Sequence, residues 1–272
     1  MFRKKNNVII GLACFNREML KISIPAIARI KSRFILIIHN DNPATTISPR
    51  DIRELGYGGP LHIINAAKNI GLRAARLRIL DAATNSFPDA QWIIYVDEDD
   101  VLLSADMPVV APNNFAVIQN RLEVKSRISD LMRAAAAPET LAPDGDGIVL
   151  IQPSLGIRGT AIRINIMRGV ANLLHAADVR IREIDDSLEY RPPVDAMMWH
   201  ALNIYANCIN PDATPIYMDC VNYISNGIDS GAIKYGRTGT PQNNAPAQLA
   251  HAMARYDAAI MNALGTDAAS QG

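Results

Sequence analysis

Cysteine is scarce. The three thiols, Cys14, Cys208 and Cys220, are odd in number and far apart in sequence. Neither a disulfide framework nor a zinc knuckle is expected, and a reducing compartment suits the chain. No apolar run approaches the length of a membrane span. Val8 to Phe15 follows Arg3, Lys4 and Lys5, but Asn16, Arg17 and Glu18 interrupt it too early for a signal peptide. The expectation is a soluble, cytoplasmic protein without a transmembrane segment; attachment to a membrane through a partner stays open. There is no excess charge of either sign, with 27 basic and 27 acidic residues, so no global attraction to nucleic acid or anionic lipid follows. The histidines fall in no metal-binding pattern. No Gly-x-Gly-x-x-Gly follows the first apolar run, which weighs against an NAD(P)-binding enzyme. Leu12 to Arg17 also lacks the Gly-rich basic loop of nucleotidyltransferases. No repeat is found.

What is present is 49% hydrophobic residues over 272 positions, enough for one large domain or a domain with a small appendage. Val8–Ala13, Phe34–Ile38, Leu61–Ile64 and Trp92–Val96 are short apolar runs that predict interior strands. Between them, Met19, Ile22, Ala26 and Ile30 share a helical face, with Pro25 as a kink. Ile52–Leu55 predicts a short helix closed by Gly56. A strong helix is expected from an Asn69 cap, with Leu72, Ala75, Ile79, Leu80 and Ala83 as its buried stripe. Four alternations of strand and helix imply an α/β three-layer arrangement around a mostly parallel sheet.

The second half is less regular. Helix is expected for Asn120–Ala137, Val194–Tyr205 and Pro246–Leu264, and extended chain for Ile148–Gln152, Gly159–Ile166 and Thr214–Ile224. Pro138–Gly147 and Asn226–Asn244 read as loops, the second mobile, and Thr266–Gly272 as a disordered tail.

The chain is organised around Gln91 to Asp100. Its uncharged strand ends abruptly in Asp97, Glu98, Asp99 and Asp100. Ligands of open α/β sheets bind beyond the carboxyl ends of the strands. Carboxylates crowded there repel unless a cation sits among them, and a hard divalent ion that also touches phosphate is the natural candidate. A solvated turn and helix start is the competing explanation.

Four segments, in order, resemble the family-2 glycosyltransferases with the GT-A fold: Val8–Leu20 with Asn16-Arg17, Ile37–Asn42 with Asp41, Asn69-Ile70-Gly71-Leu72 with Ala75-Arg76, and Tyr95–Asp100 as an Asp-x-Asp motif. They span residues 7 to 104. Leu77 stands where the family often has Asn, and His39-Asn40 where a second acid is frequent. The resemblance implies a GT-A-type three-layer sandwich: 1–104 as the nucleotide-sugar half, 105–245 as the acceptor half, and 246–272 as a terminal helix and tail.

The function it implies is metal-dependent, inverting transfer from a nucleotide sugar, UDP-sugar first. The acceptor would be a glycan, small molecule, protein or nucleic acid. Asp99 would hold Mn²⁺ or Mg²⁺, with Asp97 on the ribose, the metal or its water; Asp100 or Glu98 would assist, Asp100 otherwise being a cap. Asp41 would accept from uracil or else form an Asx turn. Arg76 would meet a phosphate or the acids. Asn16 and Arg17 would line the same edge. Asp195, in Pro192–Trp199, matches the general-base position, with a helix-start role as its alternative and Asp185, Asp186 and Glu189 as rivals. Tyr190 and Trp199 neighbour it and could stack on sugar. Arg158, Arg163, Arg168, Arg180 and Arg182 read as a solvated basic group. A non-catalytic nucleotide- or carbohydrate-binding protein with this fold is the reading from a different class.

Overall fold

The computed structural model describes residues 7–124, 148–153, 156–187, 194–226 and 254–265. The loop expected at 138–147, all of the loop expected at Asn226–Asn244 except Asn226, the residues Glu189 and Tyr190, and the tail 266–272 lie outside this set.

The first half follows the apolar runs. Strands β1 (Val8–Cys14), β2 (Ile35–Asn40) and β4 (Trp92–Asp97) are buried almost throughout, while β3 (Leu61–Asn65) is a half-exposed edge. All four run parallel, in the order β3-β2-β1-β4. The helices between them are α1 (Leu20–Arg29), α2 (Pro49–Glu54) and α3 (Leu72–Ser86). Pro25 is accommodated within α1.

The sheet continues through the second half. It adds β5 (Val101–Leu102), β6 (Asn114–Val124), β7 (Ile148–Pro153), β8 (Ala161–Arg163) and β9 (Thr214–Asn226). Strand β8 lies antiparallel between β4 and β6, β9 runs parallel to β6, and β5 and β7 are antiparallel to β9 and β6. Among the described residues this makes one curled, mostly parallel nine-stranded sheet in which β1–β4, β6 and β9 share a direction. Helices α4 (Ile164–Ala176), α5 (Asp178–Ser187), α6 (Val194–Ile209) and α7 (254–265) follow from the second half of the chain.

Alternating residues of the central strands sort to two faces, as the two-residue period of a pleated strand requires. Ile9, Ile37, Ile93 and Tyr95 pack with α3, α4, α6 and α7. Ile10, Leu36, Ile38 and Ile94 pack with Leu20, Ile24 and Ile27 of α1 and Ile52 of α2. The result is an α/β three-layer sandwich consistent with a GT-A-like fold. Gly11 lets α3 approach β1: a Cβ there would stand 2.6 Å from Ile79 Cγ2.

Three expectations are corrected. Residues 120–124 continue strand β6, where pairing with both β7 and β9 overrides their helical pattern. The extended stretch expected to Ile166 stops at Arg163, and helix begins at Ile164. Helix α3 begins at Leu72 after a Gly71 cap, φ 81°; Asn69 instead accepts the Gly71 amide at 2.9 Å.

Candidate active site

Strand order reverses at β1: the chain crosses to β2 and β3 on one side, then returns to β4 on the other. The crevice at such a reversal, outside the carboxyl ends of the strands, is where open sheets bind ligands. Asp97 ends β4 there, in register with Ala13 of β1. Asp41 follows β2 on the other flank of β1.

The acidic run makes a tight turn, with the Asp100 amide donating to the Asp97 carbonyl at 3.2 Å. Strand β5 then pairs with β9 and sets Leu102 opposite Tyr223. The Tyr223 hydroxyl donates to Asp100 Oδ2 at 2.5 Å. Burial and the charges of Asp100 and Asp97 hold the tyrosine well above its ordinary range. Glu98 turns back to β1 and accepts the backbone amides of Phe15 and Asn16, both at 3.3 Å. Burial and Asp97 still push its carboxyl up to about 7.

Two arginines knit the acids to α6. Arg76 is fully buried on α3. It donates to Asp97 Oδ1 at 2.9 Å and to Asp195 Oδ1 on its other side. Its guanidinium lies 5.9 Å from the Tyr95 ring centre, and its carbonyl accepts the Tyr95 hydroxyl at 3.2 Å. Burial opposes its charge, but Asp195 and Asp97 outweigh that and hold it protonated.

Arg158 is presented by a short segment that bridges to Tyr95, and the Gly159 amide donates to the Tyr95 carbonyl at 2.9 Å. Gly159 has φ 71°, and a Cβ there would meet the Tyr223 ring at 2.6 Å; only glycine suits both demands. The Arg158 guanidinium reaches Asp97 Oδ2 at 3.3 Å, Asp100 Oδ2 at 3.2 Å and Asp195 Oδ2 at 2.8 Å. These three carboxylates overcome burial and hold it charged.

The structure therefore brings Asp97, Asp100, Asp195 and Arg76 together, 98 residues beyond the strand end in the case of Asp195. Asp41 lies on the same edge of the sheet, where its two oxygens accept the amides of Ile70 and Gly71, each at 2.8 Å. It thereby fixes the loop into α3. Asn16 caps a short turn through Glu18 and touches Glu98 through its backbone. Arg17 is turned to Asp51 at 2.6 Å and is not brought to the acidic run. Trp199 is half-buried on α6 and packs against the core.

Arg158 and Tyr223 are the residues sequence reasoning missed. An arginine between Ile157 and Gly159 looks like any solvated arginine, and only the Gly-flanked turn hinted otherwise. Tyr223 carries no sequence signal.

A divalent cation such as Mg²⁺ or Mn²⁺ needs several hard oxygen donors. No group of three or more His, Cys, Asp or Glu among the described residues forms a cage. Both oxygens of Asp97 are engaged by arginine. Asp99 differs: burial and the charges of Asp100, Glu98 and Asp97 raise its carboxyl far above the ordinary range. A hard cation would relieve that repulsion, and Mg²⁺-type sites use one or two carboxylates completed by substrate phosphates and water. Asp99 is the residue that would hold such an ion, with substrate and water supplying the remaining donors.

No family model and no curated protein matches the chain. Among solved structures it is similar to the glycosyltransferase GlyE of Streptococcus pneumoniae TIGR4, with 11% identity over 97% of this chain and TM-score 0.41. The apo-form of that protein gives 10% identity, the same coverage and TM-score 0.39. The chain spans 64% of the length of those proteins. The overlap is loose, and the fold assignment rests on the strand order above.

Proposed function

We propose that the chain is a metal-dependent, inverting glycosyltransferase that moves a sugar from a nucleotide sugar, UDP-sugar first, to an acceptor hydroxyl. The observation that carries this reading is the convergence of Asp195 on the acidic strand end through Arg76 and Arg158. A leaving-group side and a proton-accepting side thus stand a few ångströms apart at the switch point of the sheet.

The residues take these roles. Asp41 keeps lone pairs for a base N–H beyond the two amides it accepts. Asp97 faces the ribose or metal-bound water. Asp99 would hold Mn²⁺ or Mg²⁺, and a bound ion would neutralise charge growing on the leaving diphosphate. Arg76 fixes Asp97 and Asp195 in mutual register. The acceptor oxygen attacks the anomeric carbon as the bond from that carbon to the diphosphate oxygen breaks. The bond's electron pair leaves with the nucleoside diphosphate, and the hydroxyl proton passes to Asp195. One displacement inverts the anomeric centre. The acceptor belongs to a glycan, small molecule, protein or nucleic acid.

The test is release of nucleoside diphosphate from a panel of nucleotide sugars with Mn²⁺. Asp195→Asn keeps the shape but cannot take the proton, so turnover falls by about 10² to 10⁴ while donor binding persists. Wild-type protein that binds a donor yet never turns it over, with any acceptor class, would make the chain a non-catalytic nucleotide-binding protein instead.

A further inference from the structure

We propose that Arg158 is a diphosphate-binding residue of the donor site, and that without donor it neutralises Asp195, releasing that carboxylate when the phosphates draw it away. This rests on the glycosyl-transfer reading above.

The two arginines of the site are not equivalent. Arg76 is 0% exposed, grows from the middle of a helix and is enclosed by Tyr95, Asp97 and Asp195. It has nowhere to go. Arg158 keeps 27% of its side chain exposed, and it lies in a short segment that bridges to Tyr95 ahead of β8 rather than within a helix. Its hydrogen bonds to Asp97 and Asp100, at 3.3 and 3.2 Å, are long for charge-assisted bonds, and its Nε lies 2.8 Å from Asp195 Oδ2 as an ion pair outside hydrogen-bond geometry. It is the more exposed cation of the pair.

Asp195 has one oxygen on each arginine. A carboxylate held between two guanidinium charges is a weak proton acceptor, because both interactions favour its charged form. Oδ2, held by Arg158, is the oxygen that can be freed. Oδ1 would stay on Arg76 and keep the carboxylate aimed.

A diphosphate is the ligand class that would move Arg158. Guanidinium presents a planar fork that matches phosphate oxygens. Its present partner Asp97 ends β4, so Arg158 already reaches the place where a donor on Asp97 and Asp99 would set its phosphates. The same movement would free Asp97 Oδ2 and place positive charge on a leaving group that gains negative charge. Donor binding would thus switch on the base, and Asp195 would be neutralised whenever no donor is there to be attacked.

The experiment is a calorimetric cycle. UDP, GDP, ADP and CDP are titrated into wild-type protein with Mn²⁺, and the tightest is carried forward with its parent nucleoside. Arg158→Gln should weaken the diphosphate by about 10- to 100-fold, the range for a charged hydrogen bond, and leave the nucleoside unchanged. Arg158→Lys, which keeps the charge, should fall between. Asp195→Asn should tighten the diphosphate several-fold in wild type, by removing the competitor, but not in Arg158→Gln. A gain of equal size in both backgrounds would reflect only the lower negative charge of the site and would overturn the release step. Wild-type diphosphate affinity in both Arg158 variants, each shown folded by its melting temperature, would overturn the proposal and leave the glycosyl-transfer reading standing. Wild-type protein that binds no nucleoside diphosphate would overturn both.

Discussion

Arg76 shows how much one buried charge can organise. Its guanidinium is sealed from solvent and answered by Asp97 on one side and Asp195 on the other, so α3, the end of β4 and the start of α6 are bound to one another. Removing one member of such a cluster leaves buried charge without an answer. Arg76→Met should cost about 3–5 kcal/mol, read as a fall in denaturant midpoint with unchanged m-value; a loss below ~1 kcal/mol would show that the acids find other partners. The placement of Asp97 and Arg76 at the carboxyl end of the sheet was legible in the sequence, because acids after an apolar run and an arginine after Asn-x-Gly form ordered motifs. Arg158 was not, since its meaning comes wholly from three carboxylates set far away in sequence. Asp41 shows a subtler limit: its position was legible, but not that its oxygens would fasten the loop before α3.

Among elements, the parallel strands were the plainest in sequence, because burial on both faces leaves an unbroken apolar run. Helix α4 was hidden. Ile162, Ile164 and Ile166 alternate as a strand would, while Ile164, Met167, Val170 and Leu173 carry the helical stripe that prevails. The packing of α4 explains Gly169, where a Cβ would fall 1.9 Å from the Tyr205 ring on α6. Gly169→Ala should therefore destabilise by about 1–3 kcal/mol, although alanine favours an isolated helix by about 1 kcal/mol. Adding Tyr205→Leu should restore most of the melting temperature; a more stable Gly169→Ala single variant would refute the close approach.

Asp178, at the start of α5, pairs with Arg73 of α3 at 2.7 Å and with Arg182. Burial pushes its carboxyl up, but hydrogen bonds from Arg182 and Arg73 outweigh this and hold it below its ordinary value. A depressed carboxylate contributes stability above its unfolded pKa that is lost as pH falls through the folded one. Asp178→Asn should cost up to about 1 kcal/mol at pH 7, and the gap between the two melting temperatures should narrow as pH falls below about 4. A gap of unchanged size down to the acid limit of folding would assign the effect to packing.

At the scale of the molecule, one sheet among the described residues spans both halves of the chain, so the proposed nucleotide side and the proposed acceptor side share a frame. No helix among the described residues is long and apolar enough to cross a membrane. Two open cavities, of about 620 and 660 Å³, lie away from the acidic run. One is beside Tyr57 and Asn65 at the β3 edge, the other beside Trp92 and Lys31 at the amino end of the strands. Neither is lined by Asp97, Asp99 or Asp195. The central claim is that Asp99 and its neighbours bind a nucleoside diphosphate through a divalent cation. Calorimetry of UDP against wild-type protein, in Mn²⁺ and in EDTA, addresses it directly. The account predicts binding in Mn²⁺ that weakens at least about tenfold in EDTA, the equivalent of ~1.4 kcal/mol, with Asp99→Asn abolishing the difference; equal UDP affinity in Mn²⁺ and in EDTA would contradict it.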